Sequence, residues 1–597
     1  MGLKYKIMRK LSGKIPSYYL FGFDIETTGK NQDFLMGSIV SKHDKITFWN
    51  QQEMIDTFIN NSCFRRDARI FATNLYFDIT ALFRNSEYMD DLQFIFRGTH
   101  MIQAKLPIKD RCLIFLDTSN FYPYSVKQMG DILKLPKLDQ PDFIGKRMPR
   151  DDEKPYIEQY NMRDSEITFK FAELLQDSFN KMGCKMRITA ASSAMDLFKR
   201  KYMMNDMFQE PIETIRTLYQ AYYGARSEVF KRGLIKDVNY YDFNSLYPSV
   251  MRNEYPDVSS SKSRNIGTKA IIDHYEGISE VVVKCPEDLN IPFLPSRIEK
   301  KLIFPTGIFK GWYSNVELRY AEKMGYDILE VGKQIYYTKT HFPFKHYVED
   351  LYAIRKEKKA NNDSTELIIK LLMNSLYGKF GQKFYGKQKI INISKLSFDE
   401  INRLSENAKT MISKNFMYIN DDNPSYIPTH IMPIYALYTT SFGRIKLYET
   451  IRNLTDVVYC DTDSIITSDT LEDSKELGDV KLEYRIKEGI FLRPKMYAFM
   501  TDDNKSIVRI KGNSISSRWS YDRFKEFITN PKISMQQFST FKTSNRMNIP
   551  YNSILDLNKE FSLNDDKRIW NGELCMTESQ KSMPRNVNIY NDPIKNI

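Results

Sequence analysis

Cysteine and histidine are scarce, six of each in 597 residues. Cys63, Cys112, Cys184, Cys285, Cys460 and Cys575 stand far apart, and no pair has metal-clamp spacing. A disulfide framework is the device of short secreted chains, not of one this long. The histidines form no zinc constellation. No apolar stretch is long enough to cross a bilayer. The opening MGLKYKIMRKLSGK lacks the apolar run of a signal peptide, and one glycine after the methionine is too little for myristoylation. There is no internal repeat and no long low-complexity tract. These absences leave a soluble chain of a reducing compartment, without a membrane partner and long enough for several domains.

Hydrophobic residues make up 42% of the chain and aromatic ones 13%, enough for real cores. Lysine and arginine outnumber acids 87 to 75, a net charge of +12 that fits a polyanionic partner and equally a solvated surface. The 38 tyrosines and 38 phenylalanines are mostly core, but exposed rings can stack on bases. Residues 1 to about 190 alternate strand-like runs (YLFGFDIE, ARIFATNLYF, RCLIFLDT) with helical ones (EITFKFAELLQDSF), an α/β pattern. A basic connector follows. Strand-like runs return at 239–249 and 456–467, with helices and an asparagine-rich turn between them. The last eighty residues are polar and irregular.

Paired carboxylates stand out. VVYCDTDSII reads as one buried strand with Asp461 and Asp463 at alternate positions, hence on one face. Such crowding costs repulsion and desolvation unless a cation relieves it. FGFDIETTG repeats the device with Asp24 and Glu26. ATNLYFDITALF adds Asn74 and Asp78 at i and i+4, and EQYNMRDSEITFKF adds Tyr160 and Asp164 at the same spacing on a helix. Asp24, Glu26, Asp78 and Asp164 offer only hard oxygen donors, which suit two magnesium or manganese ions and phosphodiester hydrolysis, with Tyr160 orienting the water. Downstream, Asp242 ends an aromatic strand in YYDFNSLYPSVM. In KKANNDSTELIIKLLMNSLYGKFG the spacing predicts a helix capped by Asp363 and Glu366 and stopped by Gly378. Lys370, Asn374 and Tyr377 fall on one face of it.

The first three pieces, in order, resemble the motifs of DEDDy-type 3′–5′ proofreading exonucleases. DFNSLYPS, KLLMNSLYGK and YCDTDSI resemble motifs A, B and C of family B DNA polymerases, and the likeness runs from about residue 20 to about 500. The resemblance implies an α/β and α+β multidomain fold: an RNase H-like exonuclease, then a right-hand polymerase with palm, fingers and thumb. It implies two magnesium ions held by Asp242, Asp463 and the Phe243 carbonyl, with Asp461 shaping the field. Lys370 and Lys358 would take the triphosphate of a deoxynucleotide, Tyr247 would exclude a ribose 2′-hydroxyl, and Asn374 and Tyr377 would line the nascent pair.

The chain is similar to the compact protein-primed branch of viruses and linear plasmids. AYYGARSEV gives Tyr222, Gly224 and Ala225, like that branch's Tyr-x-Gly-(Gly/Ala) motif at the template. RPKMYAF gives Lys495 and Tyr497, like its Lys-x-Tyr primer motif. Thr118, Ser119 and Phe121 stand where its single-strand motif is expected, without that motif's leucine. The exonuclease lysine is Lys137 or Lys146. The implied order is exonuclease at 1–190, connector at 191–238 and palm at 239–254 and 429–510. A first terminal-protein region with palm covers 255–345, fingers 346–380, a second terminal-protein region 381–428 and thumb 511–597. The implied partners are DNA and a separate terminal protein, met as a monomer or heterodimer in the host cytoplasm. A nucleic-acid-primed polymerase and an inactive single-strand-binding or docking factor are the alternatives.

Overall fold

The computed structural model describes residues 6–64, 67–109, 111–384, 387–394, 396–405, 409–413, 415–421, 427–513 and 515–590. Strand Tyr19–Thr28 is apolar and buried on both faces along most of its length, as a strand covered on both sides must be. It is an inner strand of a seven-stranded mixed sheet, parallel to the middle strand Ala68–Ala72, which is parallel to Arg111–Asp117. The 29-residue helix Lys154–Met182 lies on one face. Gly22 makes that contact close: a Cβ there would stand 2.4 Å from the Ser165 carbonyl oxygen.

The second large sheet is built on the long strand Lys231–Phe243, flanked by Ser464–Thr467 and Val480–Arg493. Helix Pro433–Ile451, buried along most of its length, packs against its neighbours. A five-stranded sheet, Ser261–Arg264 to Asn586–Asn588, follows the short helix Leu246–Val250. Helices Lys345–Ala360 and Glu366–Phe380 form an antiparallel hairpin. Beyond it, strands Lys387–Asn392, Lys409–Ser413 and Phe416–Asp421 make a small antiparallel sheet. Residues 385–386, 395, 406–408, 414 and 422–426 of the expected second insertion lie outside the described residues.

Several expectations change. VVYCDTDSII is not one strand: Val457–Asp461 and Ser464–Thr467 are the arms of a tight hairpin whose tip is Thr462 and Asp463. Strand Lys231–Phe243 runs unbroken through the boundary drawn at 238/239. The fingers helix passes Gly378, whose side is open, and ends at Phe380 before Gly381. Its start has no capping box. Asp363 instead accepts from the Thr365 amide, and Glu366 turns to Arg355. The segment expected as thumb reaches back into two other sheets: Ser579–Pro584 pairs with Lys231–Gly233 and Asn586–Asn588 pairs with Thr306–Ile308.

Candidate active sites

The first cluster forms where strand Tyr19–Thr28 and the long helix cross. Asp24 and Glu26 lie on the strand, and Asn161 of the helix donates to Asp24 Oδ2 at 2.8 Å. Asp78 projects from helix Leu75–Phe83 and accepts from the Ile25 amide at 3.2 Å. That helix starts at exposed Asn74, in the left-handed region at φ 69°. Its first amide, Leu75, is taken by Asp117 at 2.7 Å, a buried carboxylate at the end of a parallel strand. Asp164 completes the group one helical turn from Tyr160, and the Lys137 ammonium bonds it while standing 4.4 Å from the Tyr160 ring centre. Of the two candidate lysines, Lys137 is therefore the one inside the cluster.

Burial and then the charges of Glu26, Asp78 and Asp164 push the Asp24 carboxyl well above its usual range. Glu26 is pushed up to about 7 by burial and Asp164. Burial raises Asp78 and Asp164 as well, and Lys137 opposes the rise at Asp164. Among the described residues, no three His, Cys, Asp or Glu side chains stand in ready-made ligating geometry; Lys137 holds one of the carboxylates that would be needed. The donor chemistry still fits hard cations. Burial and neighbouring carboxylates raise Asp24, Glu26 and Asp78, burial raises Asp164, and buried Asp164 Oδ1 and Asn161 Oδ1 have no hydrogen-bond partner among the described residues.

The second cluster joins residues more than two hundred positions apart. Asp242 pairs with Ser464 across the sheet. The Phe243 amide donates to the Asp463 carbonyl at 2.7 Å, which seats the hairpin tip beside Asp242. The Asp463 amide donates back to the Asp461 carbonyl at 2.7 Å around Thr462, a β-branched residue at φ 63°. The Thr462 amide donates to the Arg226 carbonyl at 2.8 Å. Arg226 is itself locked by Glu228, which also faces Arg568 of the C-terminal segment at 3.7 Å. A backbone conformation this rare for threonine persists only where its surroundings over-determine it.

The two hairpin aspartates differ. Asp461 has Lys495 at 3.4 Å and the Tyr459 hydroxyl at 3.3 Å. Asp463 is raised by burial and by Asp461, with the more distant charges of Lys370 and Lys495 opposing. Asp242 is pushed up to about 7 by burial, then by Asp463 and Glu483. Above them, the Tyr247 ring packs on Tyr377 with centroids 4.7 Å apart. Gly443 leaves it room, since a Cβ there would touch the ring at 3.0 Å. Lys370 and Asn374 are exposed on the same helix as Tyr377.

Other expected contacts take different positions. Lys358 is tied to Asp363 at the hairpin turn, at 2.7 Å. The cation reaching the DFNSLYPS turn is Arg355, which donates to Ser245 Oγ at 3.3 Å and to Glu366 at 2.9 Å. Phe121 is core, packed on Phe71 and Phe179, and Thr118 is fully buried. Neither side chain is open to a strand, which corrects the expected contact. Half-buried Ser119 bonds Asp117 at 2.6 Å. The Tyr497 ring is mostly buried in a column with Tyr459, Phe491 and Phe499, so only Lys495 of that motif faces the site. At the connector, Arg444 donates to the carbonyls of Tyr223 and Gly224 at 2.8 and 2.9 Å, and a Cβ on Gly224 would meet open space. Asn161, Asp117, Arg226, Arg355 and Arg444 escaped the sequence reading. Arg444 alone left a signal, as a buried cation in helix Pro433–Ile451, most of whose residues are buried.

This architecture, an exonuclease-like module leading into a right-hand palm and fingers, is the fold of Phi29 DNA polymerase. The solved structure of that enzyme with primer-template DNA superposes with a TM-score of 0.67 over 91% of this chain and 100% of that one, at 18% identity. The sequence profile of DNA polymerase type B, organellar and viral, matches residues 145–472, more than half of the chain, which therefore belongs to that family. It is 28% identical to a probable DNA polymerase of Podospora anserina over 414 residues, 60% of this chain and 33% of that protein. It is 25% identical to the DNA polymerase of Streptococcus phage Cp-1 over 480 residues, 74% of this chain and 79% of that one. The chain spans between a third and two fifths of the length of such fungal relatives.

Proposed function

We propose that the protein is a DNA-directed DNA polymerase with a separate 3′–5′ exonuclease site, and that it starts chains on a protein hydroxyl. The observation that carries the polymerase reading is the Phe243–Asp463 hydrogen bond, 2.7 Å long, which seats two raised carboxylates side by side below a helix bearing Lys370. Asp242, Asp463 and the Phe243 carbonyl would hold one pair of divalent cations, and Asp24, Glu26, Asp78 and Asp164 another. Magnesium or manganese suits these donors, and when bound such ions activate the attacking oxygen and neutralise the leaving one.

The side chains do the rest. Lys370 draws the triphosphate of an incoming deoxynucleotide over Asp242, while Asn374 and Tyr377 border the new base pair. Tyr247, braced between Tyr377 and the bare Cα of Gly443, closes the space a 2′-hydroxyl would need. Lys495 neutralises Asp461, so that Asp242 and Asp463 carry the unbalanced charge that calls for cations. Gly224, Ala225 and Tyr222 support the template, on a backbone pinned by Arg444. In the nuclease site Tyr160 orients water and Lys137 steadies Asp164, while Asn74 and Ser119 flank the departing 3′ end. The three-stranded sheet at 387–421 would serve strand displacement, and residues 255–345 would meet a terminal protein. The work would be done in the host cytoplasm or an organelle, a reading supported by the family description, organellar and viral.

Primer extension with four deoxynucleotides and magnesium tests the polymerase reading, and no extension in a folded protein would sink it. Incubation with labelled deoxynucleotides and the cognate terminal protein tests priming. Extension from oligonucleotides with no covalently labelled protein would leave a nucleic-acid-primed polymerase.

A further inference from the structure

Most of the net charge sits away from both carboxylate clusters. Residues 6–14 and 181–201 together hold ten lysines or arginines and one acid, Asp196, against a net charge of +12 for the whole chain. The fold brings these two segments together. Strand Lys6–Met8 pairs with Met207–Gln209, the Leu11 amide donates to the Lys199 carbonyl at 3.0 Å, and Arg200 donates to the Gly13 carbonyl at 3.2 Å. Asp196 is already saturated by Arg187 and Arg200. Arg9, Lys10, Lys14, Lys181 and Lys185 have no acidic side-chain partner within ion-pair distance among the described residues. Burial and the charge of Arg187 lower the Lys199 pKa, as crowding of like charge requires.

The surface has aromatic structure as well. Arg69 lies 4.1 Å and Lys185 4.9 Å from the centre of the Tyr18 ring, beside a 350 Å³ cavity walled by Leu116, Met186 and Ile188. Tyr18 thus holds two cations in place rather than offering a free face. Tyr19, next to it, is 60% exposed and points to the opposite face of the sheet, the face of Phe21 and Ile25. Tyr19 begins the strand that carries Asp24 and Glu26, so Glu26 is about 23 Å further along.

We infer that this basic face is a second nucleic-acid track, which holds DNA outside both carboxylate sites with its cations on the phosphates. Cations without acidic partners take up backbone phosphates whatever the base sequence. The inference does not depend on what the carboxylates catalyse.

The test is the full chain with Arg9, Lys10, Lys14, Lys181 and Lys185 all changed to Gln. Binding of fluorescein-labelled (dT)30 is followed by anisotropy across a salt series with EDTA present. The expected result is weaker binding and a log K against log salt slope reduced by about 0.7 for each engaged cation removed, about 3.5 for five. The circular-dichroism melt and extension of a short hairpin primer stay as in the parent. An unchanged slope in a folded variant overturns the proposal. So does loss of polyglutamate binding with (dT)30 binding unchanged, which would mark a surface for an acidic protein.

Discussion

The two carboxylate clusters solve one electrostatic problem in opposite ways. The first is closed and local: its acids come from one module, on a strand and two helices, and a lysine is built into it. The second is assembled across the chain, and its built-in cation, Lys495, sits on the supporting aspartate rather than on the two that face each other. One cluster carries its own counter-charge; the other leaves two acids short of one. On the proposed reading, a site that cuts DNA must be held in check until a strand enters, whereas a site that adds nucleotides meets a fresh triphosphate, with its own cations, at every turn.

The comparison breaks most visibly if the clusters share one activity. Asp463→Ala should lower extension by about 10³-fold or more, because several kcal/mol of charge stabilisation go with it, and leave single-strand degradation intact. Asp24→Ala should do the reverse. Primer extension and degradation of a labelled single strand, run on both variants, decide it; loss of both activities in either folded variant would overturn the two-site reading.

A sharper test separates the counter-charges. Lys137→Ala should slow degradation by roughly 10- to 100-fold, the range for a partner of a metal ligand, with extension unaffected. Lys495→Ala should leave degradation alone and weaken primer use in extension. Equal effects of both variants on both assays would erase the distinction drawn between the clusters.

Stability against pH gives a third test. Asp242 and Glu26 each sit at about 7 in the folded chain, above the ordinary carboxylate range near 4. The folded state therefore binds more protons than the unfolded one between about pH 4 and 7, so stability falls as pH rises through that window. Metal-free protein should melt at least about 2 °C higher at pH 6 than at pH 8, and magnesium at pH 8 should restore much of the difference. Asp242→Asn should raise the metal-free melting temperature at pH 8. A thermal melt that is flat from pH 6 to 8 would contradict the crowding of acids in both clusters.

Much of both sites was legible because their chemistry needs acids in places where burial would otherwise forbid them. Asp24, Glu26, Asp78, Asp242 and Asp463 interrupt largely apolar runs, and Asp164 stands one helical turn from Tyr160, so each was visible. What escaped depends on contacts that spacing does not encode. Spacing narrowed the lysine beside Asp164 only to Lys137 or Lys146, and nothing near Arg226 in the chain marks it as the neighbour of a hairpin tip. Buried Phe121 and Tyr497 show the reverse error: an aromatic that matches a motif can still be spent on packing. The C-terminal strands were missed because residues 579–588 are polar on the side that pairs and alternate weakly.

The hairpin tip gives the finest test, because there a single residue separates the two unequal aspartates. Thr462 is held at φ 63° by its amide bond to the Arg226 carbonyl and by the bond from Asp463 back to Asp461. For a β-branched residue that conformation costs about 1–2 kcal/mol, and glycine would adopt it freely. Glycine also gives the unfolded chain more freedom, at a cost of about 0.5–1 kcal/mol. The two effects nearly cancel, so Thr462→Gly should change global stability by less than about 1 kcal/mol. Its effect should appear in catalysis: a looser tip lets Asp463 leave Asp242, so extension slows several-fold and needs more magnesium, while degradation stays at the parent rate. If the variant extends DNA at the parent rate and magnesium dependence, the strain at Thr462 does no positioning, and the Phe243–Asp463 hydrogen bond alone sets the pair.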